Sequence, residues 1–350
     1  MSNGTPVRLA VVGAGPIGRR HLDAIAAAPA CQAVAVVDPA PEGMQAAAAH
    51  GLPHYPDLAA MLDAVVPDGV IVATPNALHV PLARACVERG VPTLVEKPIA
   101  DTLAAALSLA DASETAGVPV LVGHHRRHNP IVQQARQIVR SGALGSLVAV
   151  SAVWLARKPD DYFEVAWRRA AGGGPVLINL IHDIDSLRFI VGEIAAVRSM
   201  TSNARRGFAV EDTAALLLRF RDGPLATVML SDSAASPWAW ELTAGERTSY
   251  DFPRTGQDCY LLVGAEASLA VPSLRLWRSD GPPHWQSPPR QETIAVQAAD
   301  PIDAQTAHFA AVIRGRAEPL ITARDAARTL EATLAVTRSA ATGREVPLSA

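Results

Sequence analysis

Cysteine is scarce in this chain. Cys31, Cys86 and Cys259 are the only three in 350 residues, and their wide spacing supports neither a disulfide framework nor a zinc site. Each is expected to be a buried thiol. Long apolar runs are lacking as well. Hydrophobic residues make up 49%, yet Gly, Pro or a charge breaks every stretch before the roughly 18 residues that a bilayer span needs. The opening residues, Met1 to Pro6, lack the basic, apolar and cleavage regions of a secretory signal, which points to the cytoplasm. There is also no basic run. With a formal charge of −3, the chain lacks the clustered Lys and Arg that bind a phosphate backbone. Nucleic acid and membrane are thereby set aside as partners, and a small molecule is expected.

What the chain does have is length, patterning and glycine. At 350 residues and 36.7 kDa it exceeds one ordinary core, and two domains are expected, 1–123 and 124–350. In the first, short apolar runs alternate with helical segments, the pattern of a parallel sheet with crossover helices. Strands are predicted at Leu9–Val12, Val34–Val37, Val70–Ala73, Thr93–Val95 and Val120–Val122. Helices should begin near Pro16, Gly43, Leu78 and Leu103, with Asp101 or Thr102 capping the last. After Gly123 a helix opens at Asn129-Pro130, and a long strand, Leu147–Leu155, begins a second, mostly antiparallel sheet. Thr213–Phe220 and Leu225–Ser231 flank the hairpin turn Arg221 to Pro224, and Trp240–Thr243 and Ser268–Val271 read as further strands. Two helices, Ile302–Arg314 and Ala323–Thr342, close the chain. Several strands of the second sheet are apolar on both faces, so both faces should be covered, one by a second subunit. A homodimer or homotetramer through that sheet is expected.

Gly13-Ala14-Gly15-Pro16-Ile17-Gly18 follows a strand and opens a helix, where the backbone can approach a pyrophosphate resting on the helix N-terminus. Asp38 ends the next strand, 20 residues beyond Gly18, where a carboxylate accepts hydrogen bonds from adenosine ribose hydroxyls and repels a 2′-phosphate. NAD is therefore expected as cofactor in preference to NADP. Thr74-Pro75-Asn76 with His79, and Glu96-Lys97-Pro98, stand at the carboxyl ends of later strands, where doubly wound sheets bind ligands. Lys97, fixed between Glu96 and a stiffening proline, has a pKa that its surroundings can tune. Gly172-Gly173-Gly174-Pro175 precedes a helix on which Asn179 and His182 share a face with Asp185 or Ser186. His182 suits a proton acceptor, as hydride loss from an alcohol requires, and the triple glycine permits close approach of a ligand.

These stations, together with Arg126-Arg127-His128-Asn129-Pro130 and Trp167-Arg168, resemble the GFO/IDH/MocA family of oxidoreductases over essentially the whole chain. The resemblance implies a Rossmann domain, an α+β domain with a large open sheet, and a site at the nicotinamide. It implies that Lys97 bonds the reacting oxygen and helps transfer its proton, with His182 as acid/base; Asn179, on the same helix face, is read as a further catalytic candidate. Thr74, Pro75 and Asn76 would line the ribose and nicotinamide, with Glu96 assisting and Trp167 and Arg168 touching cofactor or substrate. Arg127, Trp154, Arg157 and Tyr162, and more weakly His308, are substrate-pocket candidates. One position departs: many relatives carry Asp four residues before the histidine, and this chain has Ile178. Asn179, one position on, cannot accept a proton as a carboxylate does. The expected function is NAD-dependent oxidation or reduction of a sugar, cyclitol or dihydrodiol. The rivals are a glycosidase or lyase that recycles bound NAD, and a non-catalytic NAD-binding regulator.

Overall fold

The computed structural model describes residues 5–246 and 254–349. The chain divides into two compact units, Met1–His128 with Pro301–Leu330, and Asn129–Asp300 with Glu331–Ala350.

In the first unit six strands lie in the order β3-β2-β1-β4-β5-β6. They are β1 (Val7–Val12), β2 (Cys31–Val37), β3 (His54–Tyr55), β4 (Gly69–Val72), β5 (Thr93–Val95) and β6 (Val120–Val122), all paired in parallel. Crossovers run through α1 (Pro16–Ala27), α2 (Pro41–Ala49), α3 (Leu58–Ala64), α4 (His79–Glu88) and α5 (Leu103–Ala116). Because helices cover both faces, the strands are apolar along their length. Val7, Leu9 and Val11 join one core with Leu22 and Ile25 of α1, while Ala10 and Val12 join the other with Met61 of α3 and Cys86 of α4. Pro16 at the first helical position starts α1. The Thr102 hydroxyl accepts from Ala105 N at 3.2 Å to start α5, and Gly117, at φ +64°, ends it. The strand order reverses direction between β1 and β4, a switch point whose carboxyl end is where such sheets take ligands.

The second unit carries nine strands in the order β14-β13-β12-β11-β7-β10-β9-β8-β15. In chain order these are β7 (Leu147–Leu155), β8 (Ile194–Ser202), β9 (Thr213–Phe220), β10 (Leu225–Ser231), β11 (Tyr260–Gly264), β12 (Ala267–Val271), β13 (Arg275–Arg278), β14 (Arg290–Thr293) and β15 (Val346–Pro347). The pairing is antiparallel apart from β7 with β10. Helices α6 (Pro130–Arg140), α7 (Ile181–Ile190) and α8 (Trp240–Ala244) complete it. The expected strand at Trp240–Thr243 is thus a helix. Its aromatic and β-branched residues favour a strand, but Thr243 Oγ1 turns back to Ala239 O at 3.0 Å and Trp240 is buried flat against Tyr260. Within the single chain one face of this sheet is covered and the other is open. Ala214, Leu216, Leu218 and Phe220 of β9 are buried, whereas Leu217 between them is exposed, as are Leu225 and Met229 of β10 and Leu261 of β11.

Two helices close the chain, α9 (Pro301–Ile313) and α10 (Ala323–Thr342). Phe309, Ala310 and Val312 of α9 sit in the core beside Val7 and Leu9. The units therefore differ from a single cut after residue 123: Pro301–Leu330 belongs with the first sheet because its apolar side chains fill that sheet's core. No helix among the described residues is long and apolar enough to cross a membrane.

Candidate functional site

In the first unit the predicted residues gather at the carboxyl ends of the adjacent strands β2, β1, β4 and β5. The glycines have distinct duties. Gly13 has φ +92°, and a Cβ there would lie 2.6 Å from Ala73 O. A Cβ on Gly18 would lie 1.9 Å from Gly13 O, so that glycine serves close packing of helix on turn. Gly15 is different: a Cβ there meets nothing within 4 Å. It stands at the N-cap of α1, which has no side-chain cap, so the helix terminus opens on free space, where its dipole favours an anion. Asp38 is pinned by two backbone donors, Ala14 N at 2.7 Å and Ala40 N at 2.8 Å, which leaves each carboxylate oxygen further acceptor capacity. Just after β4, Thr74 Oγ1 is buried without a hydrogen-bond partner among the described residues. An uncapped helix end, a fixed carboxylate and an unsatisfied hydroxyl fit a dinucleotide, with its pyrophosphate on Gly13–Gly18 and a ribose on Asp38.

Two residues expected at the cofactor have other work. Both ring nitrogens of His79 face backbone carbonyls, Pro98 O and Thr74 O, each at 2.8 Å. With its ring buried, His79 ties the Thr74 loop to the Glu-Lys-Pro loop. Glu96 is buried too. Its Oε1 accepts from His21 Nε2 at 2.9 Å, its Oε2 accepts from Lys97 N at 3.2 Å, and a Cβ at Gly123 would lie 2.9 Å from Oε1. Burial by itself raises the Glu96 pKa, but the His21 hydrogen bond and the nearby charges of His21, Lys97 and His125 outweigh it and hold the carboxyl at about 2. The carboxylate braces the main chain of Lys97. His21, which sequence reasoning missed, lies three residues after Gly18, and the only hint was that spacing. Arg127, a substrate candidate, is likewise buried and paired with Asp325 at 2.5 Å. His308 accepts from Leu320 N at 3.1 Å and touches the His128 ring, so it holds the turn after α9.

In the second unit, Val176–Leu180 forms a π-helical turn that runs into α7. Such a turn departs from the regular ladder and often marks functional sites. It carries Asn179, half-buried, one stretch before the buried His182. Two of the three glycines serve the chain's own packing: a Cβ on Gly173 would lie 2.3 Å from Trp167 O, and one on Gly174 2.3 Å from Glu211 Oε1, while one on Gly172 meets nothing within 4 Å. Glu211 in turn accepts from Val176 N at 2.9 Å at the head of the turn, and burial raises its pKa against that bond.

Lys158, also missed from the sequence, lies three residues past β7. Its Nζ donates to Asn179 Oδ1 at 2.7 Å, lies 3.5 Å from Asp232 Oδ2 and sits over the Tyr162 ring at 4.7 Å. Burial lowers the Lys158 pKa and Asp232 opposes this; burial raises that of Asp232 against Lys158 and Arg206. Trp154 is buried, its Nε1 donating to Glu241 at 2.8 Å. The Arg168 guanidinium lies over Tyr162 at 4.0 Å and donates to Tyr162 O at 2.7 Å. Trp167 and Arg157 are exposed, Arg157 3.9 Å from Asp160.

The doubly wound sheet, with a glycine turn and a fixed carboxylate at its switch point, defines the first unit as a dinucleotide-binding Rossmann domain. Comparison with known proteins agrees. Residues 7–124 match the family described as "Oxidoreductase family, NAD-binding Rossmann fold", and residues 132–266 match the "GFO/IDH/MocA C-terminal domain". The chain is 34% identical to the rhizopine catabolism protein MocA of Rhizobium meliloti over 65% of this chain and 71% of that one. It is 32% identical to the D-apiose dehydrogenase of Paraburkholderia graminis over 97% of this chain and 89% of that one. In fold it resembles the WlbA dehydrogenase of Bordetella pertussis, solved with NADH and UDP-GlcNAcA, at a TM-score of 0.79 and 24% identity, covering 99% and 100% of the two chains. The chain belongs to the GFO/IDH/MocA family of oxidoreductases and is an NAD-binding member of it.

Proposed function

We propose that this protein moves a hydride between a secondary alcohol, or the corresponding ketone, of a small polyhydroxylated molecule and NAD, the substrate being a sugar, cyclitol or dihydrodiol. The observation that carries this reading is the Glu96-Lys97-Pro98 turn at the carboxyl end of β5, with the Lys97 main chain braced by a buried carboxylate. The D-apiose dehydrogenase relative is named for a sugar. The relatives give no support to a glycosidase or lyase.

NAD, when bound, supplies the hydride acceptor. Gly13 to Gly18 would hold its pyrophosphate, Asp38 its adenosine ribose, and Thr74, Pro75 and Asn76 its nicotinamide end, with Trp167 and Arg168 as further candidates. The chain's task in alcohol oxidation is the hydroxyl proton, which must leave as the C–H hydride does. Lys97 Nζ hydrogen-bonds that oxygen and His182 takes the proton; in reduction His182 returns it. Tyr162 and Arg157 are the substrate-binding candidates that remain, with Trp154 as a buried wall. We further assign the exposed sheet face to a second copy of the chain. The location we assign is the cytoplasm, where the three free buried cysteines suit a reducing compartment.

The test is a panel of sugars, inositols and aromatic dihydrodiols assayed for NADH absorbance. A rise stoichiometric with product supports the reading, and product without NADH refutes it. Lys97→Met and His182→Ala should each lower kcat by roughly 10²–10⁴ with NADH binding retained. Near wild-type turnover in either variant would sink that assignment.

A further inference from the structure

The polar residue nearest the position where relatives carry Asp is Asn179, and its amide is held in one orientation. Lys158 Nζ lies 2.7 Å from the Asn179 amide. An ammonium offers three donors and no acceptor, so the atom facing it must be Oδ1. The two Nδ2 donors then point away from Lys158. Lys158 is itself fixed by Asp232 at 3.5 Å and by the Tyr162 ring, while Arg206 reaches Asp232 at 3.3 Å and closes the network over Phe163. A long, flexible side chain held on so many sides loses its freedom in the folded state, so the amide it grips is preorganised.

We propose that Asn179 is a catalytic hydrogen-bond donor to a substrate oxygen, and that Lys158 is the positioning residue that aims it. This rests on the reading above, in which His182, three residues beyond Asn179, takes the substrate's hydroxyl proton. As the hydroxyl proton passes to His182 and the hydride leaves carbon, charge builds on the substrate oxygen. An N–H aimed at that oxygen gains strength in the transition state, where a carboxylate would repel it. Asn179 takes up no proton, so the absence of a carboxylate at Ile178 needs no replacement base.

The test compares Asn179→Ala, Asn179→Asp, Lys158→Met, Lys158→Arg and the Asn179→Ala/Lys158→Met pair, with NADH fluorescence titration as the control for intact cofactor binding. On any substrate the wild type turns over, Asn179→Ala and Lys158→Met should each lower kcat about 10-fold or more, as loss of one good hydrogen bond does. The double variant should be no worse than the poorer single one. Lys158→Arg should recover part of the loss, and Asn179→Asp should be as poor as Asn179→Ala. An Asn179→Asp variant as fast as wild type, or losses that multiply in the double variant, would overturn the proposal. A wild type that turns over nothing refutes the functional reading instead. The second measurement needs no substrate: shifts in Tm for the two single variants and the pair. Non-additive shifts support the Lys158–Asn179 coupling, and additive shifts overturn it.

Discussion

A carboxyl buried as Glu96 is, at 6% exposure, ordinarily takes up a proton. Burial does push its pKa up, but His21, Lys97 and His125 reverse the sign and leave it at about 2, against 4.5 in the unfolded chain. A group whose pKa is depressed on folding stabilises the fold above its unfolded value. That contribution is lost as pH falls from about 4.5 to about 2. His21→Ala leaves the carboxylate buried without its partner, which typically costs about 3–5 kcal/mol, and it should flatten the acid limb of the stability profile. Urea unfolding between pH 3 and pH 7 checks both. A variant with the wild-type midpoint and the same acid dependence would show that the pair carries nothing.

The glycine turn separates packing from binding at the level of an element. Gly18→Ala drives a methyl to 1.9 Å from Gly13 O, so the variant should be less stable and should bind NADH poorly. Gly15→Ala meets nothing of the chain. It should unfold at the wild-type temperature and still bind NADH at least 10-fold more weakly, because the methyl enters the space we assign to the pyrophosphate. Calorimetry beside fluorescence titration distinguishes them, and a Gly15→Ala variant with wild-type affinity would move the pyrophosphate elsewhere. Such turns were legible in the sequence because spacing along the chain defines them. The same holds for β1, β5 and β6 and for the hairpin β9–β10, whose apolar runs are bounded by Gly, Pro or charge. β8 and β11 went unread although Gly192-Glu193 precede the one and Asp258 and Gly264 bound the other. α8 was misread because the β propensity of its residues was overruled by burial of Trp240 against Tyr260. His21 and Lys158 were invisible for another reason: their partners Glu96 and Asn179 lie 75 and 21 residues away, and only the fold brings them together.

The nine-stranded sheet leaves an apolar face exposed, and at the scale of the whole molecule that face needs a partner. Val148 of β7, Leu217 of β9, Leu225 and Met229 of β10, and Leu261 and Val263 of β11 all stand exposed on neighbouring strands. Thr227 pairs with Leu217 across β10 and β9, and an Arg219–Glu345 pair at 3.0 Å lies at the polar margin. An apolar centre within a charged rim has the make-up of a protein interface, and contiguous apolar patches of this kind rarely stay wet on a monomer. A second copy can meet such a face by isologous contact, each sheet offering the same patch to the other. Light scattering after size exclusion, at micromolar concentration, should therefore give a dimer or a larger even assembly. Leu217→Asp sets a charge at the centre of the patch on a side chain outside the core, so it should yield a monomer that still binds NADH with wild-type affinity. A wild type that is monomeric at that concentration, or a Leu217→Asp variant that keeps its mass, would assign the face to something other than a copy of this chain.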